Sequence, residues 1–388
     1  MNGDISSGFP DGEFAARTSA AQALMAQAGL SALLLTTEPE VRYYTGFLTR
    51  FWESPTRPWF VIVPAQGKPI AVIPSIGAHL MRQTWITDIR TWQAPDYDDD
   101  GVGLLADTLR AVTPQDGKIG LADQMESHAR MPLGSLRQLK GALAQRRLVS
   151  DATITRRLRM VKSEAEIAKI RFACGIADRA FARVGEIAHE GTSLAQVFRK
   201  FQMLCLDEGA DWVPYLAGAA DQGGYGDVIS PATDRPLTKG DVLMLDTGLV
   251  WSGYFCDFDR NYSVGAPSDT LQHAHDCLIA ATQAAFDMAR PGAVLSDMFQ
   301  AMSAVINPDG EAMDAGRLGH GLGMQLTEWP SIIADDHTPL VPGMVLTLEP
   351  SINIGGGKII VHEENIVIQS DGAAYLSTPQ THAMRVLE

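Results

Sequence analysis

One segment of the sequence reads Asp241-Val-Leu-Met-Leu-Asp246-Thr-Gly248, and its alternation predicts a strand whose apolar face ends in a carboxylate. After a turn signal, a second strand-like segment reads Phe255-Cys256-Asp257-Phe258-Asp259-Arg260. A buried carboxylate needs a compensating partner, and a metal ion is one of the few that suffices. The two strands of one hairpin could therefore bring Asp246 and Asp257 to a shared cation. An ion pair between Asp257 and Arg260, with Asp246 as a turn residue, explains this segment equally well.

Three further polar residues lie in apolar or glycine-rich sequence downstream. The run Leu318-Gly-His320-Gly-Leu-Gly323 lets the backbone come close to whatever His320 contacts, although a histidine in such a loop is more often structural than a ligand. A glutamate ends the strand-like run Leu346-Thr-Leu-Glu349-Pro350, and another lies within Ile359-Ile-Val-His-Glu363-Glu364. Together, four carboxylates and one imidazole predict a metal site suited to Mn²⁺ or Fe²⁺, with Co²⁺ or Zn²⁺ as alternatives.

The composition is that of a globular protein long enough for two domains. The chain has 388 residues, of which 46% are hydrophobic and 20% are charged. Its formal charge of -15 would repel phosphate groups, so nucleic acids and anionic membranes are not expected as partners. No apolar run approaches the roughly 20 residues of a membrane helix, and no secretory signal follows Met1. Four scattered cysteines without a CxxC motif fit a reducing compartment, so we expect a cytoplasmic protein.

The pattern of helices and strands changes near residues 150–159. Before this point, helical and strand patterns alternate, which favours an α/β domain. After it, Ser163-x-x-Glu166 is a capping-box signal for a long helix, and helix pairs then alternate with strands. We therefore expect an α/β N-terminal domain over residues 1–155 and an α+β domain over residues 156–388. The predicted elements include helices over 20–29, 131–148 and 163–188, and strands over 241–246, 254–264, 344–354 and 358–369.

The second half of the chain resembles the superfamily of creatinase, prolidase and methionine aminopeptidase, which is metallopeptidase family M24. The first 150 residues resemble the creatinase-type N-terminal domain, so the resemblance covers nearly the whole chain. It implies the pita-bread fold for the catalytic domain. The matching motifs are Asp246-Thr-Gly248, Gly253-Tyr254, Asp257, Arg260, Gly319-His320-Gly321-Leu-Gly323, Glu328-Trp-Pro330, Glu349-Pro350 and Glu363.

The resemblance also implies a metal centre and a reaction. In such a centre Asp257 and Glu363 bridge two divalent ions, Asp246 binds one ion, and His320 and Glu349 bind the other. The implied reaction is hydrolysis of an amide bond in a small peptide-like substrate by a metal-bound hydroxide, as in Xaa-Pro dipeptidases. Glu349 would act as the proton shuttle.

Four positions depart from the peptidase pattern. Thr327 stands where family peptidases carry a second histidine, and Ile229 stands where a histidine precedes the first metal strand. Val361 replaces an arginine, and Asp259 replaces the threonine of the motif Asp-x-Thr-Arg. Asp259 is therefore an extra carboxylate on the Asp257 face. These changes leave the metal site whole but alter the groups that would hold a peptide.

Two alternatives to a peptidase follow from these departures. One is a non-peptidase enzyme of the same fold that acts on a small zwitterion, similar to creatinase or to a dimethylsulfoniopropionate lyase. That lyase uses an aspartate base where Thr327 stands here, and a threonine cannot serve as a carboxylate base. The other is a catalytically silent binding module, against which the complete set of ligands argues.

An aromatic and charged stretch in the first domain is similar to a loop that crosses to the partner subunit in relatives, and a homodimer follows if it crosses here too. The residues Thr49-Arg-Phe-Trp52-Glu-Ser-Pro-Thr-Arg57-Pro-Trp59 are expected to form a loop, and in relatives the corresponding loop reaches the site of the partner subunit. Core packing explains Trp59, whereas Trp52 fits core packing and substrate binding equally well. An aromatic cage there could take a cationic or proline-like substrate. The candidate site residues are thus Glu349, Thr327 and Asp259 for catalysis, and Trp52, Arg57, Glu328 and Trp329 for substrate binding.

Overall fold

The chain forms two compact units. One spans Ser6–Arg159 and the other begins at Met160, so the chain passes between them within the helix Ile154–Met160. The computed structural model describes residues 8–54, 57–309 and 316–388. Over these ranges, no helix combines the length and the apolar character that crossing a membrane requires. The domain boundary predicted after residue 155 falls inside the connecting helix.

A six-stranded mixed sheet forms the centre of the N-terminal unit, in the order β4-β3-β2-β1-β5-β6. Every residue of its strands β1, β2 and β3 is buried, which explains why these strands read as continuous apolar runs in the sequence. The predicted α/β class of this domain is confirmed. The strands are β1 Ala32–Leu35, β2 Phe60–Pro64, β3 Ile70–Pro74, β4 Asp88–Trp92, β5 Lys118–Leu121 and β6 Arg147–Ser150, and the helices are α1 Asp11–Ala28, α2 Glu38–Thr45, α3 Ala78–Met81, α4 Val102–Val112, α5 Leu133–Ala142 and α6 Ile154–Met160.

The helix predicted over residues 131–148 is wrong at its end. Helix α5 stops at Ala142, and Ala144 adopts a left-handed backbone conformation with φ of 56°, which an α-helix cannot continue through. Leu148 then pairs with Ile119 in the parallel ladder of β6 and β5. The apolar spacing of this segment fits a helix, but its last residues extend the sheet instead.

Four long helices cover the C-terminal unit, and the first begins as predicted. The Ser163 hydroxyl accepts a hydrogen bond from the Glu166 amide at 3.3 Å, and the Glu166 carboxylate accepts one from the Ser163 amide at 3.0 Å. This confirms the capping box. The helix ends at Ala182 and is followed by a short 3₁₀ turn, Val184–Glu186. The four helices are α7 Glu164–Ala182, α8 Leu194–Asp207, α9 Asp269–Met288 and α10 Leu295–Ile306.

The described strands of this unit form two five-stranded sheets and a two-stranded ribbon. One sheet has the order β18-β10-β8-β7, with β9 also paired to β8, and the other has the order β12-β11-β13-β16-β17. Strands β14 and β15 form the ribbon. The strands are β7 Trp212–Gln222, β8 Asp241–Trp251, β9 Tyr254–Phe255, β10 Phe258–Val264, β11 His320–Gly321, β12 Glu328–Ser331, β13 Val345–Leu348, β14 Ser351–Gly355, β15 Lys358–Val361, β16 Glu364–Ile368, β17 Ala373–Tyr375 and β18 Arg385–Leu387.

Three strands that the sequence predicts as continuous are each interrupted at an acidic residue. The segment 254–264 divides at Asp257, the segment 344–354 divides at Glu349, and the segment 358–369 divides at Glu363. These interruptions place the three carboxylates outside the regular ladders, where their side chains need not follow the alternation of a strand.

Candidate metal centre

Glu349 and Glu363 lie where the chain changes sheet. Strands β13 and β16 pair with each other in a five-stranded sheet, whereas β14 and β15 pair with each other in the ribbon. Glu349 connects β13 to β14, and Glu363 lies between β15 and β16. Both glutamates therefore occupy one crossing point between the ribbon and the sheet.

The other predicted ligands reach the same place from neighbouring strands. Asp246 lies in β8, and Asp257 lies between β9 and β10, which both pair with β8. The Asp257 amide donates a hydrogen bond to Asn365 Oδ1 at 3.0 Å, and the His320 amide donates one to Thr347 Oγ1 at 3.1 Å. Side chains of adjacent strands thus hold the backbone at two of the predicted ligand positions.

The structure brings these side chains together as a buried group. Ligand atoms of Asp257, His320 and Glu363 lie within 4.8 Å of one another, and all three residues are buried. Asp246 is also buried, and Glu349 is partly buried. The negative charge of Glu349 acts directly on Asp246 and on Asp257. Asp257, His320 and Glu363 therefore form one buried cluster, and Asp246 and Glu349 lie near enough for their charges to act on it.

His320 is held in the state in which a metal ion can bind it. Its Nδ1 lies 2.8 Å from the carbonyl oxygen of Gly321, so Nδ1 carries the hydrogen and donates it. Burial and the nearby charge of Arg317 lower the pKa of His320 to about 4, which leaves the ring neutral. The Nε2 lone pair then lies 3.4 Å from Asp257 Oδ2. Two acceptors that face each other at this distance call for a cation between them.

The buried carboxylates of the cluster also lack enough nearby positive charge. Burial first, and then the charges of neighbouring carboxylates, raise the pKa values of Asp246, Asp257 and Glu363 well above their usual range. Among the described residues, Asp246 Oδ1 and Glu363 Oε1 are buried without a hydrogen-bond partner. Buried oxygens without donors, an oxygen-rich donor set and a neutral imidazole all fit divalent metal ions.

The sequence analysis missed two side chains at this centre, Arg317 and Tyr215. The charge of Arg317 opposes the rise in the pKa values of Asp257 and Glu349. Burial and the nearby charge of Asp246 raise the pKa of Tyr215 in β7 well above its usual range. A single arginine or tyrosine creates no pattern in the sequence, so only the folded arrangement reveals these contacts.

Substitution of Gly319 by alanine is expected to disturb the position of His320. Gly319 has a φ of +140°, and a Cβ atom there would lie 2.2 Å from the Thr347 carbonyl oxygen, so the backbone would have to move. We expect the free energy of unfolding to fall by about 2 kcal/mol or more in urea denaturation. In the matched variant Gly175→Ala, the new Cβ would meet only the Arg179 side chain at 3.6 Å within helix α7. That variant should gain about 0.5–1 kcal/mol, and equal stabilities of the two variants would contradict the argument.

Of the predicted substrate contacts, Glu328 is bound mainly to its own domain. Its carboxylate accepts hydrogen bonds from the amides of Met324 at 2.8 Å and Gln325 at 3.1 Å, and it forms an ion pair with Lys162 at 3.2 Å. Both side chains of the pair are almost completely buried. Glu328 therefore fixes the loop that follows His320, and its role towards a substrate stays a prediction.

The variant Lys162→Met should be strongly destabilised, because it leaves the buried Glu328 carboxylate without its cation. We expect a loss of about 3–5 kcal/mol in the free energy of unfolding, measured by urea denaturation. Lys358→Met is the matched control, since the ion pair of Lys358 with Asp221 at 3.1 Å is partly exposed. The control should lose less than about 1 kcal/mol. Similar losses in both variants would show that burial of the pair does not determine its contribution.

The predicted aromatic loop of the N-terminal unit is tied to its own unit by Arg130. The guanidinium donates hydrogen bonds to the carbonyl oxygens of Trp52 and Arg57, each at 3.1 Å, and also to that of Ser54. It also lies over the Trp52 ring, 5.2 Å from the centroid, while Trp52 packs near Trp59. Packing thus explains part of the Trp52 environment, and the proposed substrate roles of Trp52 and Arg57 stay predictions.

Comparison with known proteins identifies the family. The family model described as metallopeptidase family M24 matches residues 168–370, and the model of the creatinase/prolidase N-terminal domain matches residues 17–161. This chain belongs to metallopeptidase family M24. The predicted family and the two-domain architecture are confirmed, and family M24 implies divalent metal ions at the acidic cluster.

Several of the similar proteins are named as dipeptidases. The chain is 30% identical over 369 residues to the probable dipeptidase PepE of Mycobacterium bovis, covering 93% of each chain. It is also 30% identical to the Xaa-Pro dipeptidase of Pyrococcus horikoshii over 253 residues, which cover 64% of this chain and 71% of the relative. The crystal structure of dipeptidase PepE from Mycobacterium ulcerans is 29% identical, covers 98% of this chain and 99% of its own, and superimposes with a TM-score of 0.83.

Proposed function

We propose that this protein is a dipeptidase that uses two divalent metal ions, Mn²⁺ or Fe²⁺, to hydrolyse the amide bond of Xaa-Pro dipeptides. The observation that carries the proposal is the buried cluster in which the neutral His320 Nε2 faces Asp257 Oδ2 at 3.4 Å. The names of the relatives supply the substrate class.

The five predicted ligands would divide between the two ions as the family resemblance implies. Asp257 and Glu363 would contact both ions, Asp246 would bind one, and His320 and Glu349 would bind the other. When bound, such ions polarise the carbonyl group of a substrate and lower the pKa of water. The protein contributes dry surroundings, because the side chains of Asp246, Asp257, His320 and Glu363 are all buried.

Glu349 is the proposed proton carrier. Burial, together with the charge of Asp259, raises the pKa of Glu349 to about 7 in the metal-free protein, although the charge of Arg317 opposes the shift. Bound divalent ions would lower this pKa again, so Glu349 would be ionised and able to accept a proton once the ions are in place. Glu349 would take the proton of the attacking water and pass it to the nitrogen of the leaving proline.

Arg317 is the proposed anchor for the substrate carboxylate. It is the arginine whose charge reaches Asp257, His320 and Glu349, and its Nη2 donates to Thr327 Oγ1 at 3.5 Å. Thr327 would then orient this cation, and its predicted catalytic role stays a prediction. A guanidinium beside an acidic centre would favour a small substrate that carries its own carboxylate, as a dipeptide does.

We also propose that the protein is a homodimer in which the Trp52 and Arg57 loop serves the partner's site. The support is the resemblance of residues 17–161 to the creatinase/prolidase N-terminal domain. Analytical ultracentrifugation of the full chain tests the assembly, and a monomer that cleaves dipeptides would overturn this part of the proposal.

The test of function is turnover of a panel of Xaa-Pro dipeptides by the Mn²⁺- or Fe²⁺-loaded protein. We expect metal-dependent release of proline that chelation abolishes. A protein that keeps its metal ions but releases no proline would overturn the peptidase assignment. The same samples would then be assayed with creatine-like and sulfonium zwitterions, where an alkene product identifies β-elimination.

A further inference from the structure

Asp259 lies beside the cluster of predicted ligands. It belongs to β10, where it pairs directly with Asp246 of β8 in the antiparallel register. Directly paired residues of antiparallel strands project their side chains on the same face, with Cβ atoms about 4.5–5.5 Å apart. The residue is 1% exposed. The register therefore places a second buried carboxylate next to that of Asp246.

The two oxygens of the Asp259 carboxylate have different surroundings. Oδ1 accepts a hydrogen bond from the Glu363 amide at 2.9 Å and lies 3.6 Å from His362 Nδ1. Oδ2 is buried and has no hydrogen-bond partner among the described residues. One oxygen thus holds the backbone of a predicted ligand, and the other remains available to an atom that the protein does not supply.

The neighbouring side chains of His362 and Arg260 do not supply a partner for Asp259 Oδ2. The His362 ring lies between Asp259 and Glu364, because its Nε2 is 3.4 Å from Glu364 Oε1. The Arg260 side chain pairs with Glu364 at 3.0 Å and donates to the backbone carbonyl of Asp259 rather than to its carboxylate. Both side chains therefore contact Glu364, and neither donates a hydrogen bond to Asp259 Oδ2.

The charge of Asp259 also acts on the centre as a whole. Its paired position beside Asp246 and its hydrogen bond to the Glu363 amide place its negative charge next to two of the predicted ligands. If the only task of this position were to accept the Glu363 amide, an uncharged oxygen would do it without this repulsion. A further buried negative charge at this position destabilises the protein unless a cation neutralises it.

We propose that Asp259 is an additional ligand of the metal centre, with Oδ2 binding the same ion as Asp246. This proposal rests on the metal centre of the proposed function. An added carboxylate oxygen increases the affinity of that position and favours ions that prefer oxygen ligands, such as Mn²⁺, over Zn²⁺.

Mn²⁺ binding to the metal-free full chain tests the proposal, with affinity and stoichiometry measured by isothermal titration calorimetry. Asp259→Asn keeps an oxygen for the Glu363 amide and removes the charge, and Asp259→Thr introduces the residue of the family motif. Asp241→Asn is the matched control, because Asp241 is buried on β8 and pairs with Arg235 at 2.8 Å. Thermal unfolding of each metal-free variant shows whether it is folded. If Asp259→Asn is not folded, Mn²⁺ binding to Asp259→Thr tests the proposal instead.

We expect both Asp259 variants to bind one Mn²⁺ ion about 10- to 100-fold more weakly, or to lose it, while Asp241→Asn binds like the wild type. A folded Asp259 variant with wild-type affinity and stoichiometry would overturn the proposal, as would an equal loss in Asp241→Asn. Failure of the proposed function gives different results. If the wild-type protein binds no Mn²⁺, the proposed metal centre is wrong. If it binds Mn²⁺ tightly but releases no proline, only the proposed substrate class is wrong.

Discussion

The variant Asp257→Asn is expected to lose about 10³-fold or more in kcat/KM for Xaa-Pro dipeptides, which corresponds to about 4 kcal/mol of transition-state stabilisation. Asp257 is the predicted bridging residue whose Oδ2 lies 3.4 Å from His320 Nε2, and its backbone is fixed by Asn365. Asparagine preserves the shape of the side chain but removes the charge and offers only one oxygen. The remaining ligands could then no longer hold both ions in place.

Steady-state kinetics at saturating Mn²⁺ would measure this loss, and metal analysis after dialysis would show whether an ion is lost with it. Asp221→Asn is the control, because Asp221 is a partly exposed aspartate that pairs with Lys358 in the same domain. Its kcat/KM should stay within about twofold of the wild type. If Asp257→Asn kept both its ions and its activity, the bridging role would be wrong.

The ligand types could be predicted from sequence because a carboxylate in an apolar strand is costly. Asp246, Glu349 and Glu363 each stand in apolar, strand-like sequence, and the structure places Asp246 and Glu363 in buried positions. The sheet that each flanking segment joins could not be predicted. The apolar residues on either side of Glu363 look alike, although Val361 belongs to the ribbon and Ile366 to a five-stranded sheet. Hydrophobic patterning records burial and does not record which sheet buries a residue.

The start of the first helix shows a second limit. The sequence predicts a helix over residues 20–29, but α1 begins at Asp11. Its first turns bury Arg17, whose guanidinium lies 4.5 Å from the Phe9 ring centroid and 4.4 Å from that of Tyr43. In a hydrophobicity pattern, a buried arginine that stacks on aromatic rings counts as a polar residue. The pattern therefore does not show that this face of the helix is buried.

Contacts between distant residues set the third limit. His362 precedes a predicted ligand in the sequence, yet its partner Asp259 lies 103 positions away and Arg260 reaches the Glu363 carbonyl oxygen across the same gap. Neither pairing produces a local pattern. The sequence therefore indicates which residues bind metal, whereas the folded structure is needed to show which charges surround them.

Addition of Mn²⁺ should strongly stabilise the wild-type protein, and the variant Glu363→Gln should lose most of this effect. Without metal, burial and the charges of Asp257, Glu349 and Asp246 raise the pKa of Glu363 well above its usual range. Keeping this group ionised, or protonating it, costs free energy that a neutral glutamine avoids. We therefore expect metal-free Glu363→Gln to be more stable than the metal-free wild type by about 1–3 kcal/mol.

With Mn²⁺ present at about 1,000 times its dissociation constant, each bound ion should add about 4 kcal/mol to the free energy of unfolding of the wild type. Glu363→Gln should gain far less, because the lost carboxylate is one that both ions would share. Urea denaturation with Mn²⁺ and with a chelator measures both effects, and the exposed Glu190→Gln variant should follow the wild type in each. A metal-free Glu363→Gln protein less stable than the wild type would show that this carboxylate stabilises the fold directly. The stabilisation of the folded protein would then not depend on bound metal, contrary to what the unpartnered buried oxygens of the cluster indicate.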